Sequence, residues 1–128
     1  NAMVPSAWLG RKLIDDIDSK HLQILWDPAN SLYANEPTYP DGWEALKNGY
    51  IGHLHIKDAR VNMPRAHVEF CELGSGDMAP YLLPLADDMK RNGHDGFISL
   101  ESVYRPEDGS FEDGYRASLP KFKELFDW

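Results

Sequence analysis

Residues 51–60 read IGHLHIKDAR, a strand-length run in which His53, His55 and Lys57 alternate with Leu54 and Ile56. Successive side chains of a strand point to opposite faces, so this spacing predicts one aliphatic face and one face of imidazoles and an ammonium. Only the aliphatic face can pack against helices. Leu22–Asp27 (LQILWD) and Phe97–Glu101 (FISLE) divide in the same way. Asp27 shares a face with Gln23 and Leu25, His55 with Ile51, His53 and Lys57, and Glu101 with Phe97 and Ser99. The opposite faces carry Leu22, Ile24 and Trp26, then Tyr50, Leu54 and Ile56, then Ile98 and Leu100.

Helical patterns lie between these strands. Leu9, Leu13, Ile14 and Ile17 recur at helical spacing over Val4–Asp18, with Ser6 placed to cap the first turn. Pro28 ends the first strand, and a loop is expected through Pro40. Asp41 is then a candidate cap for a short helix through Trp43 and Leu46, stopped at Asn48-Gly49. A long Gly- and Pro-punctuated loop is expected over Ala59–Pro80, with Gly74-Ser75-Gly76 as a turn. Leu82, Leu85, Ala86 and Met89 mark the next helix, which stops at Asn92-Gly93. After a loop holding Pro106, Asp108 and Gly109, a last helix carries Tyr115, Leu119, Phe122 and Phe126. Pro120, with Ser118 as a cap, places the start of its regular part near Leu119. A helix followed by three strand-helix units implies parallel strands with helical crossovers, an α/β architecture in one domain over residues 1–128.

Composition narrows the function classes. The 128 residues carry 13 Lys plus Arg against 21 Asp plus Glu, a formal net charge of −8, which repels a phosphate backbone and argues against nucleic acid as partner. The single cysteine, Cys71, has no intrachain partner and reads as a small buried or half-buried thiol. No apolar run approaches the ~20 residues of a membrane span, and a cytoplasmic location is expected. Asn1-Ala2 before Met3 resembles the scar of a cleaved tag, with native sequence starting at Met3.

Asp27, His55 and Glu101 each fall at or near the carboxyl end of a strand, on the polar face. Sites in α/β folds are built at that end. Each residue also has a structural reading: Asp27 as a turn former before Pro28, His53 as a hydrogen-bonded core histidine beside His55, Glu101 as a solvated strand end. Their coincidence on three successive strands favours a cation site. Carboxylates suit Mg²⁺ or Mn²⁺, and an imidazole extends the choice to Co²⁺ or Zn²⁺. Lys57, on the same face, is a candidate contact for a substrate oxygen or phosphate, with a solvated strand-end lysine as the alternative. Asn30 is a substrate-binding candidate or an Asx-turn residue. Arg60 and Arg105 are loop candidates for an anionic substrate or plain surface arginines. Asp58, on the opposite face, reads as structural, and Trp26, Trp43 and Tyr50 as core aromatics.

Four motifs in order, WDPAN (26–30), GHLHIKDAR (52–60), ELGSGDM (72–78) and GHDGFISLE (93–101), resemble the sugar isomerase and epimerase family with the xylose isomerase-like TIM barrel. The resemblance covers nearly the whole chain. It implies the carboxyl-terminal part of a (β/α)8 barrel, about strands six to eight, with one divalent metal held by Asp27, His55 and Glu101. A further metal-binding glutamate of the family has no match here. The implied activity is metal-dependent sugar or sugar-phosphate isomerisation or epimerisation, with a proton moved between neighbouring carbons through an enediolate. Glu101 matches one of the family's two acid-base groups, and Lys57, Asn30 and Arg60 are the candidate substrate contacts.

A complete barrel takes about 250 residues. The strands present would leave Leu25, Ile51 and Phe97 facing water, so a homo-oligomer or a complementing amino-terminal half-barrel is the expected partner. Two other readings compete. One is a non-catalytic, oligomerising remnant of the fold. The other is a relative of abasic-site endonucleases, which share the barrel but carry a metal-binding histidine where Asn30 stands.

Overall fold

A computed structural model describes residues 4–127; the expected tag scar at residues 1 and 2 and the start at Met3 lie outside the described residues. Helix α1 (Ala7–Ile17) leads to strand β1 (Ile24–Trp26), the short helices α2 (Pro28–Tyr33) and α3 (Trp43–Leu46), and β2 (Ile51–Ile56). A hairpin of β3 (Asp58–Asn62) and β4 (His67–Cys71) follows, then α4 (Ala79–Arg91), β5 (Phe97–Leu100) and α5 (Phe111–Phe126). The strands β1, β2 and β5 form one parallel sheet in that order, and the hairpin is a separate antiparallel pair. This α/β arrangement, an amino-terminal helix followed by three parallel strands each leading into helix, is that of part of a TIM barrel. Among the described residues the sheet does not close, and β1 and β5 are its two edges.

The core lies on the helix side of the sheet. Trp26, Leu54 and Ile56 are buried there against Trp43, Leu46, Met78, Leu82, Leu85 and Met89, and Ile98 and Leu100 pack beside them. Trp26 and Trp43 are core aromatics as expected, while Tyr50 is half-buried with its hydroxyl donating to Asp15. Cys71 is buried, and burial pushes its thiol pKa up.

Strict alternation fails at one point in β2. Ile24 pairs with Ile51, but Leu25 pairs with His53, so the register slips by one residue at Gly52. Ile51 is therefore buried in the core rather than on the polar face with His53. Glycine in a strand marks such a slip, and here a Cβ on Gly52 would meet the Gln23 side chain at 2.7 Å. Leu22 precedes β1 and is exposed, not an outer-face core residue.

Three further expectations are corrected. The segment after Asp27 is not all loop: Pro28 occupies the first turn of α2. Asp41 caps nothing, because it belongs to a wide turn over Thr38–Gly42 that runs directly into α3. Helix α5 starts at Phe111, not near Leu119. Ser110 and Asp113 form a capping box that satisfies its first turn, and Pro120 is carried in the interior because Gly114, Ser118 and Leu125 are buried around it. In α1, Ser6 caps as expected, yet the buried face is Ala7 and Gly10; Leu9, Leu13 and Ile17 are exposed.

The segment expected as loop over Ala59–Pro80 contains the hairpin, and Asp58 organises what remains. Its buried carboxylate accepts backbone N–H groups from Ala59 at 2.8 Å and from Gly74, Gly76 and Met78 at 2.9 Å. Those bonds draw the 72–78 turn against β3. No side chain fits at Gly76, where a Cβ would lie 2.4 Å from Asp58 Oδ1 and 2.6 Å from both Ala59 O and Cys71 Sγ. Removing the carboxylate strands several buried donors at once. Asp58→Ala is expected to lower unfolding free energy by about 3–5 kcal/mol in urea titration. Asp77→Ala, which removes one acceptor from the exposed Val61 N–H, is expected to cost about 1 kcal/mol or less. Equal losses in the two variants would contradict this role for Asp58.

Candidate metal centre

The polar face of the sheet is built in rows. Leu25, His53 and Phe97 are neighbours across β1, β2 and β5, and His55 pairs with Ser99 one step further along. His53 Nε2 and Ser99 Oγ are 2.8 Å apart in a hydrogen bond, and the His53 ring meets the His55 ring edge-on at 4.8 Å. His53 is thus a hydrogen-bonded neighbour that flanks His55.

Beyond that row the three strands end in ionisable groups. Asp27 follows β1 and caps α2, its Oδ1 accepting from Ala29 N at 3.0 Å. Glu101 follows β5, where its N–H continues the ladder by donating to Ile56 O at 2.9 Å. One ligand atom from each of Asp27, His55 and Glu101 can be chosen so that all three lie within 4.8 Å of one another. This is the one such group of three or more among the described residues.

Lys57, just past β2, enters the same space. Its Nζ is 2.5 Å from Asp27 Oδ2 and 2.7 Å from Glu101 Oε2, and His55 Nδ1 lies 3.6 Å from that same Glu101 oxygen. Burial raises the Asp27 pKa, and the Lys57 ammonium offsets this only in part. Burial also pushes Glu101 upward, but hydrogen bonding and charge from Lys57, with help from His55, outweigh it and leave Glu101 below the ordinary range. Burial acts to lower Lys57; its hydrogen bonds to both carboxylates prevail and raise it. The carboxylates are thereby driven apart in acidity, Asp27 holding a proton more readily and Glu101 staying ionised.

The donor set fits a divalent cation. Two carboxylates and an imidazole supply the ligand types that Mn²⁺ or Co²⁺ accept, and the carboxylate oxygens already converge on a positive charge at hydrogen-bond distance.

The other sequence candidates fall elsewhere. Asn30 lies in the first turn of α2 and lines an apolar groove of about 270 Å³ between α1 and β1, together with Leu13, Leu22, Leu25 and Asp27. Arg60 is turned along the hairpin, donating to Ser75 O at 2.9 Å and pairing with Glu69 at 3.7 Å. Arg105 is exposed in the loop after β5.

Tyr33 was not among the candidates, since it stands in a segment read as loop. It occupies the end of α2, its ring edge-on to Phe70 of β4 at 6.3 Å, and its buried hydroxyl has no hydrogen-bond partner in the protein. Burial and then the charges of Asp27, Asp58 and Glu101 push its pKa up. That hydroxyl is a buried neutral group in the field of these carboxylates.

Comparison with known proteins bears on the fold. The family described as xylose isomerase-like TIM barrel matches residues 1–125. Among solved structures, a xylose isomerase domain protein from Planctomyces limnophilus superposes with a TM-score of 0.66 at 22% identity, over 97% of this chain and 43% of that one. The chain therefore spans less than half the length of that structure, and the likeness is one of fold. No curated protein matches the chain. Among the described residues no helix is long and apolar enough to cross a membrane.

Proposed function

The chain belongs to the family of the xylose isomerase-like TIM barrel, and from that premise we propose that it carries the metal-binding part of a sugar or sugar-phosphate isomerase or epimerase. The observation that supports this most is the convergence of Asp27, His55 and Glu101, from three successive strand ends, to within 4.8 Å. Those residues would hold a Mn²⁺, Mg²⁺, Co²⁺ or Zn²⁺ ion. When bound, such an ion stabilises negative charge developing on a substrate oxygen.

The chain's own groups divide the remaining work. Glu101 is partly exposed, which suits a group that takes a proton from a substrate carbon and returns it to the neighbouring one, once the Lys57 ammonium that weakens it as a base withdraws. Asp27 is nearly enclosed and fixed by Ala29 N–H, which suits a ligand rather than a proton carrier. His53, bonded to Ser99, fills the space behind His55 and limits how its ring can turn. For Asn30 and Lys57 a substrate contact remains part of the proposal, Lys57 once it is clear of the carboxylates; Arg60 would have to leave Ser75 and Glu69 to join them.

A second feature bears on whether this chain acts alone. Leu25 is 52% and Phe97 79% exposed on the polar side of the sheet, and Leu9, Leu13 and Ile17 of α1 are exposed next to the free edge at β1. Unpaired edges flanked by apolar side chains favour further strand-helix units over this face, supplied by a second copy or by a complementing half-barrel. The alternative of a non-catalytic assembly domain draws on the same surface.

Two measurements test these readings. His55→Ala is expected to weaken Mn²⁺ or Co²⁺ binding by about 10- to 100-fold in equilibrium dialysis, the loss of one ligand and its geometry; unchanged metal content counts against the centre. Light scattering on the isolated chain is expected to show association at working concentration. A folded monomer across that range would contradict the covered face.

A further inference from the structure

Resting on the reading of Asp27, His55 and Glu101 as a cation site, we propose that Lys57 is a built-in competitor for it. A divalent ion then binds only as the Lys57 ammonium leaves the two carboxylates.

Asp27 has two oxygens: Oδ1 is committed to Ala29 N–H at 3.0 Å, and Oδ2 to Lys57 Nζ at 2.5 Å. Both oxygens of Asp27 are thus already paired. At Glu101 the Oε2 atom that lies 3.6 Å from His55 Nδ1 is likewise the one that holds Lys57, at 2.7 Å. An ammonium and a metal ion cannot share both oxygens, because two cations a few ångströms apart in an enclosed site repel strongly. The Lys57 side chain is only 10% exposed, so it is inserted among these groups rather than lying over them.

Charge balances through the exchange. Two carboxylates and one ammonium leave the cluster at −1, whereas two carboxylates and a divalent ion bring it to zero, with the ammonium moved aside still protonated. The Phe70 ring, 6.0 Å from Nζ on the neighbouring hairpin, gives the displaced cation an electron-rich face to rest against. The site is thereby held together by an internal cation in the absence of metal, and its metal affinity is set below what the three ligands alone would give.

The test compares Mn²⁺ binding by isothermal titration calorimetry in the natural protein, Lys57→Met and Lys57→Gln. Both variants remove the charge, and the second keeps a hydrogen-bond donor for Asp27. The expected result is binding about tenfold tighter or more in the variants, with far-ultraviolet circular dichroism confirming that they fold. A measurement on the natural protein guards against variants that do not fold: amine-reactive labelling read by mass spectrometry should modify Lys57 faster at saturating Mn²⁺ than in chelator. Stoichiometric Mn²⁺ binding by the natural protein, with affinity unchanged or weaker in the variants or with Lys57 labelling not increased, would overturn the competitor and leave the metal centre standing. Absence of Mn²⁺ binding in all three proteins would overturn both.

Discussion

The Lys57 ammonium joins the carboxyl ends of all three parallel strands. It leaves β2, reaches Asp27 at the end of β1 and Glu101 at the end of β5, and neutralises a carboxylate whose side chain is only 4% exposed. Without a positive charge there, Asp27 and Glu101 would face each other in a poorly solvated space, an arrangement that costs several kcal/mol when uncompensated. The positions of α2, capped by Asp27, and of the loop leaving Glu101 both follow from where these carboxylates are held. What the helix side of the sheet contributes is apolar area; what the other side contributes is this charge cluster.

The two sides of the sheet are covered to different extents. Trp26, Leu54 and Ile56 turn toward the helices and are covered, while Leu25 and Phe97, in the row beside His53, stay exposed. In a closed barrel such rows interdigitate with those of the remaining strands. The exposed stripe of α1 has the same meaning: Ala7 and Gly10 allow close approach to β1 and the wide turn, and the larger apolar residues point away from this core. The three converging side chains, Asp27, His55 and Glu101, are thus presented on a face that further strand-helix units are suited to complete.

Alternation along IGHLHIKDAR made the candidate site legible in the sequence, because periodicity is a local property. From His53 onward each residue faces as the alternation predicts. Upstream, the slip at Gly52 sent Ile51 to the core, and the glycine was the only local sign of it. The hairpin was hidden because Pro64, Gly74 and Gly76 read as loop punctuation, while its position is fixed by a non-local feature, the Asp58 carboxylate on amides as far away as Met78. Tyr33 was hidden for the same reason, since its burial against Phe70 depends on a helix that Pro28 begins rather than prevents. That Lys57 stands between the carboxylates, and Arg60 does not approach them, depends on side-chain direction after the strand ends, where alternation no longer applies.

At issue is whether Asp27, His55 and Glu101 form a cation site that Lys57 fills until a metal takes its place. The most direct measurement is anomalous diffraction from crystals soaked in Mn²⁺, recorded on both sides of the manganese absorption edge. The expected map has a single strong peak bonded to Asp27, His55 and Glu101, with the Lys57 ammonium withdrawn from Asp27 Oδ2 and Glu101 Oε2. A map with no peak there, and Lys57 still bridging the two carboxylates, would contradict it.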